Sequence, residues 1–155
     1  SDCTGLLPLA SVAAMQGRIT VAHILGDTVH PLRTDEVASN IFTSPEIASV
    51  GITQQDVEAD PAMFTGMTMN LATNPRAKMR NITDGFVKLF ARPGSNTIIG
   101  GVVVAPQASE LIYPIGMAVA NRLTVDQVAN TFSVYPSMTG SIAEAARRLH
   151  SSDVF

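Results

Sequence analysis

The stretch "DGFVKLFARPGSNTIIGGVVVA", Asp84 to Ala105, is two apolar runs separated by turn residues. "DGFVKLFA" and "TIIGGVVVA" are rich in β-branched and aromatic residues, the types that fit a pleated surface. Pro93, Gly94, Ser95 and Asn96 lie between them. Proline presets φ, glycine and asparagine tolerate positive φ, and serine bonds its own backbone, so this segment should reverse the chain. The two runs should therefore pair as an antiparallel hairpin, and the rest of the sequence is read outward from it.

Upstream, "GMTMNLATN" alternates, with Met67, Met69 and Leu71 on one face, and reads as a further strand. "IFTSPEIASVGIT" alternates poorly and gives either two short strands broken at Pro45 or one irregular strand. Thr53 and Asp56 have the spacing of a capping box, for a short helix ending near Asp60 and Pro61. Downstream of Pro106 the period becomes helical, with Leu111, Ile112, Ile115, Val119 and Leu123 sharing a face. Pro114 should bend that helix or mark a late start. Thr124 and Gln127 form a second capping box, opening a short helix through Ala129. The last helix carries Met138, Ile142, Ala145, Ala146 and Leu149 on one side, with Arg147 and Arg148 in its final turn, where cations suit the dipole. The expected fold is α+β: an antiparallel sheet of three to five strands with helices gathered on one side.

Ahead of this domain, apolar residues recur at Leu9, Val12, Met15, Ile19 and Ala22. They predict a helix from about Pro8 to Leu25, with Pro8 in its first turn and Gly26 as its left-handed stop. The polar linker "GDTVHPLRTDEVASN" separates this helix from the strands. Residues 1–39 are therefore expected to end one domain, 40–149 to form a second, and 150–155 to fray. The chain opens on Ser1 inside a polar turn, which reads as the interior of a longer protein.

Bulk properties narrow the function. Hydrophobic residues are 46% of the 155 and charged ones only 15%, with a mean hydropathy of +0.23. That is apolar for a lone monomer, so a partner should cover part of the surface. A net charge of −3 offers no footprint for nucleic acid. One cysteine, Cys3, allows no internal disulfide and fits a reducing, cytoplasmic compartment; its expected role is a small buried filler. No apolar run reaches the roughly 18 residues of a membrane span, and no signal peptide is visible. Asn81-Ile82-Thr83 matches a glycosylation acceptor by chance. His23, His30 and His150 lack metal-ligand spacing and read as surface groups, and the methionines fit a packed interface better than a metal site. There is no G-x-G-x-x-G fingerprint and no redox cysteine pair.

The stretch "TFSVYPSMTGSIAEAARRLH", Thr131 to His150, approaches a Tyr-Pro corner and then turns helical. Nothing between Thr131 and Ala143 titrates near neutral pH, since a tyrosine ionises at about 10. With glycine at 140, Ser141 and Glu144 are the expected cap of this helix. Glu110 is expected to be structural at the start of its helix, and Arg76 and Lys78 to occupy a solvated loop.

Three segments resemble the FAD-dependent pyridine nucleotide–disulfide oxidoreductases, the family of lipoamide dehydrogenase and glutathione reductase. "DCTGLLPLASVAAMQGR" is similar to the family's last flavin-binding motif, and "FTSPEIASVGIT" to the first strand of its dimerisation domain. "IIGGVVVAPQASELIYPIGMAVANRLTVDQVANTF" is similar to that domain's last strand, interface helix and the short helix beyond. The resemblance runs from about Asp2 to Leu149. It implies that Asp2 accepts hydrogen bonds from the ribityl hydroxyls of FAD, and that Leu9, Ala10 and Ser11 open the helix beneath the flavin ring. It also implies a homodimer through residues of 107–149.

In the family the corner is His-Pro, with a glutamate five residues after the histidine; together they handle protons for a dithiol across the dimer interface. Here Tyr135 and Gly140 stand at those two places, while Pro136 is kept. The resemblance implies a cis Tyr135–Pro136 bond whose carbonyl faces the flavin. The "VYPS" corner and "GSIAEAARRL" tail are similar to lipoamide-dehydrogenase-like NAD(P)H quinone reductases of actinobacterial type. The implied function is the C-terminal part of such an oxidoreductase, using FAD, NAD(P)H and a quinone-type acceptor, the isolated chain being inactive. The alternatives are a dihydrolipoamide-dehydrogenase-like disulfide reductase with its base elsewhere, and a module that only dimerises.

Overall fold

The structure is a computed structural model that describes residues 2–152. The chain forms two compact units, one ending at Val37 and the other beginning at Ala38.

In the first unit a 3-10 turn at Asp2–Thr4 precedes helix α1, Ala10–Ile24. Leu9 is the N-cap, with an extended backbone at φ −121° and ψ 136°. Pro8 therefore stands before the helix and not in its first turn, as its position in the sequence had suggested. The other end agrees with expectation. Gly26 takes φ 86°, its N–H donates to the His23 carbonyl, and the Asp27 N–H donates to that of Ala22. This pair of reversed bonds satisfies the last carbonyls of α1 only because residue 26 enters the left-handed region. In the linker, Arg33 lies 2.8 Å from both Asp35 and Glu36.

The second unit is built on a sheet with strand order β1-β2-β5-β4-β3, every neighbour antiparallel. β1 (Ser39–Ile41) and β2 (Glu46–Gly51) lie on either side of the cis Ser44–Pro45 bond, so the segment is two strands rather than one irregular one. Helix α2 (Gln54–Ala59) has both arms of the Thr53–Asp56 capping box. Strand β3 (Thr65–Asn70) runs into a 3-10 turn at Leu71–Thr73 and then into α3 (Pro75–Met79). β4 (Phe86–Arg92) and β5 (Thr97–Ala105) are the hairpin of the opening stretch, with a register shift between Phe90 and Ala91. Helices α4 (Ala108–Ala120), α5 (Val125–Asn130) and α6 (Gly140–Ser152) complete the unit.

One face of the sheet is the core. Ala48, Val50, Val87, Leu89 and Val103 alternate inward and are buried under Leu111, Ile112 and Ile115 of α4 and Ile142, Ala145 and Leu149 of α6. Burying each Leu or Ile side chain contributes roughly 1.5–3 kcal/mol. A Cβ on Gly101 would lie 2.8 Å from both Ile115 Cγ2 and the Lys88 carbonyl oxygen, so α4 can approach β5 only because the side chain is missing. The opposite face carries Lys88, whose ammonium donates to Gln54 Oε1 at the start of α2.

Three local readings need correcting. α4 begins at Ala108 and runs through Pro114, so the proline does not mark a late start. α3 is a helix where a solvated loop was expected; Asn74 caps it and Pro75 occupies its first turn, where a missing N–H costs nothing. α6 continues through Ser152, beyond His150, where fraying was expected to begin; residues 153–155 of that tail lie outside the described residues.

The start of α4 shows a contact that adjacent sequence does not suggest. Gln107 holds a left-handed φ of 63° and lends no side-chain cap. Instead Glu46, from β2, accepts the Ser109 N–H at 2.9 Å and the Asn40 Nδ2 at 3.4 Å. The Ser109 hydrogen bond, more than that of Asn40, holds the Glu46 carboxyl below its ordinary range. Its folded value lies below the unfolded one, so the stabilisation is complete above an unfolded pKa of about 4.3 and is lost as pH falls through the folded value. Glu46→Gln should therefore lower the urea midpoint near neutral pH, and its deficit relative to the native chain should shrink below about pH 4. A deficit that stays constant with pH would mean the carboxylate charge contributes nothing there.

Candidate functional site

The Tyr135–Pro136 peptide is cis, as the resemblance implied. Short-range hydrogen bonds fix the turn on the C-terminal side of this corner. The Gly140 N–H donates to Ser137 Oγ at 3.1 Å, and Ser137 Oγ lies 3.0 Å from Thr139 Oγ1. This is the serine half of a capping box; the returning half is missing because the third residue on is Gly140 and has no side chain. The expected Ser141–Glu144 cap does not form. Ser141 is buried within the helix, and Glu144 pairs with Arg148 at 3.1 Å and Arg147 at 3.0 Å. Those contacts, Arg148 first, hold the Glu144 carboxyl below its usual range.

From beneath, the corner is held by Asn74. Its Nδ2 donates to the Ser137 carbonyl at 3.0 Å and to Ser141 Oγ at 2.8 Å. Its Oδ1 accepts the N–H groups of Arg76 and Ala77 at 2.9 and 3.1 Å. Sequence reasoning passed over Asn74; the Asn-Pro dipeptide that begins α3 was its one local signal.

The approach to the corner is bare. Phe132 is 104% exposed, Val134 79% and Tyr135 82%. Beside it lies a cleft of about 380 Å³ whose walls come from α4, α5, α6 and this segment. Leu89, Ile98, Ile115 and Leu123 form its floor, and Phe132 and Val134 its rim. None of the lining residues is titratable. Tyr113 and Met117 on the outward side of α4 are also exposed. The geometry offers shape, apolar surface and a backbone carbonyl, and no proton carrier.

In the first unit Asp2 is exposed and begins the 3-10 turn. Ala10 and Ser11 are exposed in the first turn of α1, and no side chain caps that turn at Leu9. The leading N–H groups there are open to an acceptor. Cys3, expected as a buried filler, is exposed. Glu110 and the cations Arg76 and Lys78 are exposed. His150, expected as a surface group, lies 2.6 Å from Asp126 at its Nδ1. Among the described residues no cluster of His, Cys, Asp or Glu could hold a metal ion, and no helix is long and apolar enough to cross a membrane.

Residues 37–146 match the family model described as "Pyridine nucleotide-disulphide oxidoreductase, dimerisation domain". The chain is 57% identical over 152 residues to an NAD(P)H dehydrogenase (quinone) of Mycobacterium tuberculosis, a match spanning 98% of this chain and 31% of that protein. It is 34% identical over 148 residues to a dihydrolipoyl dehydrogenase of Mycoplasma pneumoniae, covering 95% of this chain and 32% of that one. The crystal structure of LpdA from Mycobacterium tuberculosis superposes with a TM-score of 0.93 at 57% identity, over 96% of this chain and 32% of its own. The chain thus spans about a third of the length of these relatives.

A Cβ at residue 140 would meet only Ser137 Oγ, at 3.7 Å. Gly140→Ala should therefore raise stability by about 0.5 kcal/mol, because alanine loses less backbone freedom in a helix. Ser137→Ala removes the cap and should cost about 1 kcal/mol. Urea unfolding at constant slope checks both, and a destabilising Gly140→Ala would show that the turn needs glycine.

Proposed function

The chain belongs to the pyridine nucleotide-disulphide oxidoreductase dimerisation-domain family, and from that membership we propose a flavin-linked quinone reductase. This chain would be the C-terminal part of a FAD-dependent NAD(P)H:quinone oxidoreductase. Residues 1–39 finish its FAD domain, and 40–149 build its dimer contact. The single observation that carries the proposal is the corner: it keeps its proline and backbone carbonyl while offering no base.

The residues present fit FAD. Asp2 is an exposed acceptor-only carboxylate suited to the ribityl hydroxyls. The uncapped turn at Leu9, Ala10 and Ser11 presents N–H groups and the positive end of α1. When bound, FAD supplies two-electron transfer between NAD(P)H and an acceptor. This chain's residues would hold it: Asp2 would accept from its hydroxyls, the N–H groups of the α1 turn would donate to it, and the carbonyl at Tyr135 would accept a hydrogen bond from the flavin of the opposite protomer. Pro136 would hold that carbonyl in place, and the apolar corner would keep water from the flavin of the opposite protomer.

Disulfide reduction needs a base beside the thiols to withdraw and return protons. A quinone takes up two electrons and two protons, which a hydride and one proton from water supply, so no fixed base is required. Tyr135, in the place of the family's histidine, shapes the pocket and moves no proton. Gly140, in the place of the glutamate, leaves nothing to orient such a base. The bare apolar surface of Tyr113, Met117, Phe132 and Val134 supports homodimerisation. The protein is proposed to work in the cytoplasm.

In the complete flavoprotein, Tyr135→Phe should slow quinone reduction by less than about tenfold, or ~1.4 kcal/mol. A thousandfold loss would give the phenol a chemical role and overturn the proposal. A complete protein that carries a redox cysteine pair and turns over lipoamide would favour the disulfide-reductase alternative. Phe132→Asp should shift sedimentation toward the monomer; an unchanged dimer would place the contact elsewhere.

A further inference from the structure

Asn74 is 6% exposed, and its carboxamide makes four hydrogen bonds that face two ways. The oxygen caps α3; the nitrogen reaches 63 and 67 residues along the chain to Ser137 and Ser141. Ser137 directly follows Pro136, and its hydroxyl is already committed to the Gly140 N–H. The approach from Phe132 to Tyr135 is exposed, so within one chain the contacts that order the corner lie on its C-terminal side. There the carboxamide grips the Ser137 carbonyl and the first turn of α6 together.

We propose that Asn74 is a positioning residue: its Nδ2 bonds to Ser137 and Ser141 set the Tyr135–Pro136 corner, and so the carbonyl and wall that the corner presents to the flavin. The flavin half of this inference rests on the functional reading above; the positioning half does not. The residue type is dictated by the geometry. A carboxamide accepts two N–H groups from α3 and donates two protons to the corner at once, whereas a hydroxyl has one proton to give. A carboxylate would still cap α3, being a good N-cap, but it has no proton for the Ser137 carbonyl and could meet Ser141 only with that hydroxyl as the donor.

That asymmetry supplies the test. Hydrogen exchange is followed by residue in the native chain, Asn74→Asp and Ser141→Ala. In Asn74→Asp the Arg80 and Ile82 amides, which bond to α3 carbonyls, and the central strands should keep native protection. The Gly140, Ser141 and Ile142 amides should lose at least about tenfold. Ser141→Ala, which removes one of the two bonds, should loosen the same amides by less and serves if the aspartate variant does not fold. Unchanged protection at 140–142 in the folded variants, or equal loosening of sheet and corner, would overturn the positioning role. In the complete flavoprotein, Asn74→Asp should shift the visible flavin spectrum and midpoint potential while the protein stays dimeric. A native spectrum and potential despite loosened amides would overturn the flavin half. A native protein that never binds flavin would instead overturn the functional reading, leaving the exchange result to decide the positioning role.

Discussion

The placement of α4 against β5 governs the second unit. Gly101 removes the one side chain that would hold them apart, so Ile115 descends onto the strand within 2.8 Å of where a Cβ would sit. Once Leu111, Ile112, Ile115 and Ala118 face the sheet, the helical period turns Tyr113 and Met117 the other way. The exposed apolar face is thus a geometric consequence of the buried one. Pro114 is exposed on the outward side of this helix, where water can reach the carbonyl that its missing N–H leaves without a donor.

How far the sequence could be read depends on the range of the interactions. The Thr53–Asp56 and Thr124–Gln127 boxes close within three residues and were legible as pairs of letters. The hairpin of β4 and β5 was equally plain, because its turn and both strands are contiguous. The contacts that escaped are polar and distant. Glu46 bonds to Ser109 and Asn74 to Ser137, each 63 residues away. An isolated Asn or Glu carries no periodicity to mark it as buried or committed, so only the folded sheet identifies its partner. The same limit explains the misplaced cap of α6. Ser141 and Glu144 have capping-box spacing, but Ser141 is drawn into the interior by Asn74 and Glu144 outward by Arg147 and Arg148.

The candidate site shows a division between backbone and side-chain function. The cis bond, the capped turn beyond it and the carboxamide beneath it preserve a main-chain geometry, while side chains that titrate near neutral pH are absent from 131–143. Backbone groups are indifferent to the letters at Tyr135 and Gly140. A main-chain contact made by such a corner does not depend on which side chains surround it, so the fold by itself does not fix a reaction.

The bare rim of Phe132, Val134 and Tyr135 has one more consequence. A second copy that covers these side chains on the folded chain couples folding to association in one equilibrium. The melting temperature should then climb with protein concentration, and dilution alone should act as a mild denaturant.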